Sequence, residues 1–518
     1  MTKERKPLIL NAFQIGGSGL QAPGLWKHPD DRSSEYTKLK YWTDLAKLLE
    51  KGKFNGLFIA DVLGGYDVYN GPQNFNAAAA SGAQFPVNEP SAPVTAMAAV
   101  TDHLTFGLTF STIAEPPYHL ARRLATLDHL TDGRVGWNVV TSYLDSAARN
   151  LLDGAQLPPH DKRYARAEEY LQVVYKLLVS SWRDDAVVLK DGIYSDPERI
   201  RLINHQGEFF TVPGPNFTEP SPQKLPLIIQ AGSSKQGLEF AGKNAEVVFH
   251  GGPTPEKLGE RIRESKEIAK KYGRGDDLKF LTLITIILGE THEEAEQKYH
   301  EYRKYGDVEG AKALLSGWTG IDFGKFPPDE EVRNVEGESN AGSSHAKALV
   351  DNWQKLGPGD PPDVKKTPNY VGKQITIGGM APVFWGTATE VADEIERWVD
   401  ISGVDGFNIT YATLPGSYED IVKWLIPELQ RRKLVWDDYP EKPQTYREQV
   451  FGRKFVNENH PAYDLRWTPE YTKEEFEAKL AKLEAQQAAN ADQTQADPTK
   501  ADAAKASDSV KEPAKAAA

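Results

Sequence analysis

The sequence predicts an α/β chain closed into an eight-stranded parallel (β/α)8 barrel, the TIM-barrel architecture, enlarged by insertions. Three observations predict it. Apolar runs of strand length recur at 8–16, 55–62, 104–112, 135–142, 226–234, 246–251, 278–288 and 405–413, near-continuous in the way of strands covered on both faces. Segments of helical period lie between them, as in 41–53 with Leu45, Leu48 and Leu49 on one face and 166–182 with Leu171, Val174, Leu177 and Leu178. Small polar residues gather at the carboxyl ends of the runs, the rim where barrels of alternating strands and helices keep their ligand sites.

Taken in order, the first run leads into Gly16-Gly17-Ser18-Gly19, which lacks the spacing of a dinucleotide fingerprint and reads as a flexible loop. Trp26-Lys27-His28-Pro29 follows, and its histidine is a side chain that titrates near neutrality. The second run closes on Phe58-Ile59-Ala60-Asp61; such an aspartate either caps a turn or meets a ligand. In the third run Thr109 and Ser111 alternate onto one strand face, there to satisfy neighbouring backbone or to border a ligand. Arg122 and Arg123 belong on a helix exterior. The fourth run, Arg134-Val135-Gly136-Trp137-Asn138-Val139-Val140-Thr141-Ser142, ends in hydroxyls, with His160 and Tyr164 one helical turn apart beyond it.

The fifth run ends in Ala231-Gly232-Ser233-Ser234-Lys235-Gln236-Gly237 and opens a helix. Backbone amides and two hydroxyls converge there on a helix amino terminus, which suits an anion; Ser234 as a simple helix cap is the alternative. Three long connections, 63–91, 183–225 and 307–375, interrupt the alternation. Loops of that length are lids, binding loops or solvated surface. His292-Glu293-Glu294 and His300 lack a set of metal ligands and read as a charged helix face, so no metal is expected. From Tyr471 the composition turns to Glu, Lys, Ala and Gln; 473–488 suits a helix, whereas 489–518 is too polar to order itself. The domain organisation expected is a barrel over 1–470, with 307–375 as its cover, and a carboxyl-terminal helix and tail over 471–518.

With 518 residues, 39% hydrophobic content and 11 Trp, the chain has ample core material. Its 74 acids against 61 bases give a net charge of −13, a field that repels nucleic acid and anionic lipid. Zero cysteines exclude disulfides, thiolate metal sites and a cysteine nucleophile. No run approaches the roughly 18 apolar residues of a membrane span, and the charged start up to Pro7 leads into an apolar segment too short for a signal peptide. A cytoplasmic location is the default expectation.

The segment from Gly136 to Leu151, with Tyr143 and Asn150 inside it, resembles the flavin-dependent monooxygenases of the bacterial-luciferase superfamily. Within it the resemblance is to the branch containing nitrilotriacetate, dibenzothiophene-sulfone and long-chain alkane monooxygenases, over most of residues 8–455. That resemblance implies a luciferase-like barrel and a two-component monooxygenase that takes reduced FMN from a separate NAD(P)H:flavin reductase and oxygenates a small organic substrate with O2. Ser142, His160, Tyr164, Ser233 and Ser234 would hold the flavin phosphate, and Thr109 and Ser111 would lie beside the ring. Asp61 would border the ring and serve, with His28, as a catalytic residue. Some relatives carry a further histidine where this chain has Gly19-Leu20-Gln21-Ala22-Pro23. A homodimer or homotetramer is expected. A deazaflavin-dependent oxidoreductase of the same fold and a non-catalytic flavin-binding protein are the alternatives. Truncation at Ala488 is expected to leave melting temperature and flavin affinity nearly unchanged; a large loss of either makes the tail structural.

Overall fold

The apolar runs pair side by side in a closed parallel barrel. This is a computed structural model, and the structure describes residues 6–232, 234–332, 346, 347 and 349–495. The strands are β1 (Ile9–Ile15), β2 (Gly56–Ala60), β3 (Thr105–Ser111), β4 (Val135–Val140), β5 (Leu227–Ala231), β6 (Val247–Phe249), β7 (Lys279–Leu288) and β8 (Gly406–Thr410). Each pairs in parallel with the next, and the ring closes where Ile9 of β1 stands opposite Gly406 of β8. Every residue of β1 and β3 is buried, because the barrel core covers one face and a helical layer the other.

The strands stop short of several of the apolar runs. Pairing ends at Val140, Ala231, Phe249 and Thr410, and the remaining hydroxyl-rich residues of the runs become rim loops. Ser142 adopts a left-handed backbone with φ of 60°, a conformation no strand continues through. A further strand, Val383–Gly386, was not among the expected eight. It pairs with Thr285–Leu288 of β7, while β8 takes Leu281–Thr285 of the same strand. Four residues carry too little alternation to stand out in a sequence.

The insertions differ in kind. Segment 183–225 folds into two small hairpins, Val187–Lys190 with Ile193–Ser195 and His205–Gln206 with Thr211–Val212. Segments 63–91 and 307–375 instead pack together: helices Asn76–Ser81, Val308–Thr319 and Pro368–Ile375 enclose a second apolar cluster with Tyr66, Leu314, Leu315 and Trp318. The described part of 307–375 is thus a packed helical layer over the rim. Residues 333–345 and 348 of it lie outside the described residues.

After β8 the chain returns beneath the barrel, with Leu8 N–H donating to Leu434 O at 2.8 Å and Tyr446 N–H to Gly133 O at 2.9 Å. Arg447 and Glu246 are both wholly buried there. Arg447 donates to the two Glu246 oxygens at 2.7 and 2.8 Å and to Leu225 O at 2.8 Å. Burial alone would raise the Glu246 carboxyl, but the Arg447 charge and hydrogen bonds, with His460 and the Ile228 amide, hold it far below the usual range. Helix Lys473–Gln495 starts where Phe476 stacks on Trp467, ring centroids 5.3 Å apart. It runs past the segment expected to be helical, since extending a nucleated helix costs far less than starting one. The rest of the expected tail, 496–518, lies outside the described residues. Among the described residues no helix is long and apolar enough to cross a membrane.

Removing one partner of the Arg447–Glu246 pair leaves a buried charge unmatched. Arg447→Met is expected to lower stability by about 3–5 kcal/mol in guanidinium unfolding, and adding Glu246→Gln should recover a large part of the loss. Additive losses would show that the ion pair is not the source.

Candidate active site

A cavity opens at the carboxyl rim, lined by the ends of β2 to β6, helix His160–Tyr175, the start of helix Lys235–Asn244 and the two packed insertions. Phe13, Phe58 and Phe249 form its apolar floor, their rings 5.4–6.2 Å apart. Asp61, Thr109, Ser111, Ser142, His160, Tyr164 and Ser234 all line it, so the rim brings together residues from segments far apart in the chain. Ser233 lies outside the described residues.

Thr109 donates to Ile59 O at 3.0 Å and accepts from Asn138 Nδ2 at 3.0 Å. Its hydroxyl is therefore engaged by the barrel, as the plainer alternative held. Ser111 and Ser142 share a hydrogen bond of 2.8 Å, which the left-handed turn at Ser142 makes possible. Asp61 is half-buried with no cation beside it. Burial, reinforced by the charge of Glu89 and opposed by the Val62 backbone N–H, pushes its carboxyl up to about 7.

A polar niche occupies one end of the cavity. Ser234 caps helix Lys235–Asn244, its Oγ accepting from Gly237 N–H at 3.0 Å. The Tyr164 hydroxyl is within hydrogen-bonding reach of Ser234 and Thr141, and it would lie 2.9 Å from a Cβ on Gly237, so glycine there keeps the niche open. His160 leans on Tyr164 at 4.9 Å; burial and then the nearby Arg163 lower its pKa, which favours the neutral ring. Arg163 was not foreseen. It is only 9% exposed, donates through Nη1 to Ser142 O, and its buried Nε has no partner among the described residues. Asn138 Oδ1 and Gln230 Oε1, also in the lining, are likewise buried without partners.

The other end holds a network that sequence reasoning missed. Gln84 Nε2 donates to Leu20 O at 2.6 Å, Tyr66 donates to Gln84 Oε1 at 3.0 Å, Tyr143 lies 2.6 Å from Tyr66, and Trp318 Nε1 donates to Tyr66 at 3.1 Å. Tyr66, Gln84 and Trp318 belong to the insertions, whose length was the only signal in the sequence. Burial pushes Tyr66 up to about 12, against the hydrogen bonds of Tyr143 and Trp318, and likewise raises Tyr143 well above its ordinary value.

His28 is not brought to this cavity. It follows the short turn Leu25–Lys27 and packs edge-on against Tyr302 and Tyr305, centroids 5.3 and 5.0 Å away. Its Nδ1 accepts from Asp30 N–H at 3.2 Å and its Nε2 lies 3.5 Å from Glu301. The turn aims the ring at helix His292–Tyr305, so His28, expected to be catalytic, is placed outside the cavity lining and against that helix. Among the described residues, no group of three or more histidine, cysteine or acidic side chains is placed to hold a metal ion.

Residues 24–405 match the family profile described as luciferase-like monooxygenase. The chain is 44% identical over 467 residues to a dimethyl-sulfide monooxygenase of Hyphomicrobium sulfonivorans, covering 89% of this chain and 94% of that one. It is 44% identical over 451 residues to a long-chain alkane monooxygenase of Geobacillus thermodenitrificans, covering 86% and 95%. Among solved structures, the crystal structure of a riboflavin lyase with modified FMN and riboflavin superposes with a TM-score of 0.78 at 31% identity, covering 89% of this chain and all of the other.

Asp61 offers a test that needs no ligand. In the folded chain it keeps its proton to about pH 7, whereas the ordinary value is 3.8. The folded state binds the extra proton between those values, so this contribution to stability falls as pH rises through that window and is level above it. Asp61→Asn lacks the slope. Between pH 4 and 8 it should gain on wild type by on the order of a few kcal/mol, read as a widening difference in melting temperature. A constant difference would contradict the assignment.

Proposed function

The chain belongs to the luciferase-like monooxygenase family, and from that premise we propose that it is the oxygenating component of a two-component system, taking reduced FMN from a separate NAD(P)H:flavin reductase. Arg163 carries most of the weight. Its buried Nε has no partner among the described residues, and Arg163 lines the same cavity as Tyr164, Ser234 and the helix amino terminus, so a cation, hydroxyls and backbone amides suited to a phosphate share one otherwise apolar cavity. A buried donor left without a partner costs roughly 1–3 kcal/mol unless a ligand satisfies it. The riboflavin lyase similar in fold binds a modified FMN, which supports the same occupant here.

Bound reduced FMN supplies two electrons that, with O2, deliver one oxygen atom to the substrate and the other to water. The protein's own residues do the rest. Arg163, Tyr164 and Ser234 would hold the phosphate, with the neutral ring of His160 against Tyr164; Ser233, assigned the same role from the sequence, lies outside the described residues. Ser111, Ser142 and Thr109 shape the cavity beside the ring, where Asn138 and Gln230 offer free acceptors. Asp61 sits where it can hold a proton at neutral pH and give it up, the behaviour of a general acid. The packed insertions exclude water, which limits unproductive loss of the reducing power as hydrogen peroxide. On this reading 1–470 is the catalytic unit and 307–375 its cover.

Wild type should bind FMN in preference to riboflavin and consume O2 when supplied with reduced FMN. Ser234→Asp places a like charge beside the phosphate, worth about a kcal/mol or more, so FMN affinity should fall by roughly tenfold while riboflavin binding changes little. Equal wild-type affinity for FMN and riboflavin overturns the phosphate assignment.

A further inference from the structure

The hydrogen bonds at the end of the cavity away from the niche run in one direction, and that direction restricts the substrate. Gln84 gives its amide N–H to Leu20 O, which leaves Oε1 as the acceptor facing Tyr66. Tyr66 has one hydroxyl proton and spends it on that oxygen. Its own oxygen takes the Trp318 indole N–H, so the 2.6 Å contact with Tyr143 requires Tyr143 to be the donor. The hydroxyl protons of Tyr143 and Tyr66 and the Trp318 indole proton are then all spent within the network, and Tyr143 turns only lone pairs toward the cavity.

The surrounding wall is apolar, with Leu20, Leu63, Leu144 and Ala147 in the lining. Among the described residues, the ionisable acid and base side chains lining the cavity are Asp61, His160 and Arg163. The first is an acid. The other two stand at the niche, where Arg163 is tied to Ser142 O. An anionic substrate group facing these oxygens would lose its hydration and meet no cationic side chain among the described residues, only the neutral amides of Gln21 and Gln84, which do not offset the loss of a carboxylate's hydration.

We propose that the substrate is an uncharged, largely apolar organic molecule, and that the inward-directed Tyr143–Tyr66–Gln84 network with Trp318 makes the site reject carboxylates. The inference rests on the flavin-oxygenase reading, which assigns Arg163 and the niche to the cofactor's phosphate. It goes further by dividing possible substrates on charge.

The test is a matched pair of thioethers: ethyl isopentyl sulfide and 3-(ethylthio)propanoate, in which a carboxylate replaces the terminal isopropyl group. Binding to the FMN-loaded full-length chain is read by flavin fluorescence and calorimetry. The neutral member should bind at least about 100-fold more tightly, the order of discrimination open to a site that leaves a buried polar group unmatched. Leu63→Lys, which introduces a cation into the wall, should narrow or reverse that ratio. The inference is overturned if the carboxylate binds as tightly as its partner, or if neither compound binds. A chain that does not bind FMN overturns the flavin reading and this inference with it; one that binds FMN yet accepts the carboxylate overturns this inference alone. If Leu63→Lys does not fold, the wild-type ratio decides.

Discussion

A barrel of parallel strands has no free edge only if every seam holds, and the narrowest seams here are those on either side of β6, the shortest of the eight strands. Three residues provide few ladder hydrogen bonds, and Glu246 just before them supplies the remainder. Its backbone N–H donates to Ile228 O, its carbonyl accepts from Lys279 N–H, and its carboxylate accepts from Ile228 N–H. One residue thus ties β5, β6 and β7 together. A bare carboxylate is not tolerated at such depth, and Arg447, delivered by the returning carboxyl-terminal segment, makes it so. Exposed ion pairs elsewhere on the surface are worth about 0–1 kcal/mol, so this is the pair on which closure turns.

Closure fixes the opposite rim as well. Because all strands run the same way, their carboxyl ends arrive at one level, and residues separated by hundreds of positions become neighbours without any loop being specially shaped. The two ends of the resulting cavity are chemically unlike. One offers a cation, hydroxyls and a helix amino terminus; the other offers apolar walls and phenolic oxygens without spare protons. Asp61 lies in the lining with its charged form disfavoured by burial and by Glu89. This asymmetry suits the cavity, on the proposed reading, to a charged cofactor and a substrate of different polarity at once.

The barrel was legible in the sequence because its signal is local: each strand is a contiguous apolar run. Asp61, Ser111, Ser142 and Ser234 were legible as rim residues for the same reason, since strand ends map directly onto the rim, whereas Tyr164, on helix His160–Tyr175, was reached through the family resemblance. What escaped notice depends on contacts between distant segments. Val383–Gly386 pairs only with the far half of β7, and Arg163 gains significance from Ser142, which precedes it by a full loop. Tyr66, Gln84 and Trp318 were hidden in insertions, where no periodicity marks a residue. That His28 stands outside the cavity lining was not legible, because a motif's neighbourhood in sequence does not say which way a short turn points its ring.

The two packed insertions meet at a point with no slack. A Cβ on Gly317 would lie 2.0 Å from the Tyr66 ring, so the helix bearing Trp318 approaches the first insertion as closely as it does only while that position has no side chain. The consequence is one of inheritance. An exchange of one insertion that put a side chain at 317 would drive it into the Tyr66 ring, so such an exchange keeps this packing only if the pair travels together or Gly317 and Tyr66 change in concert. Covariation of those two positions across descendants, over a barrel that itself stays the same, is the trace that such a history leaves.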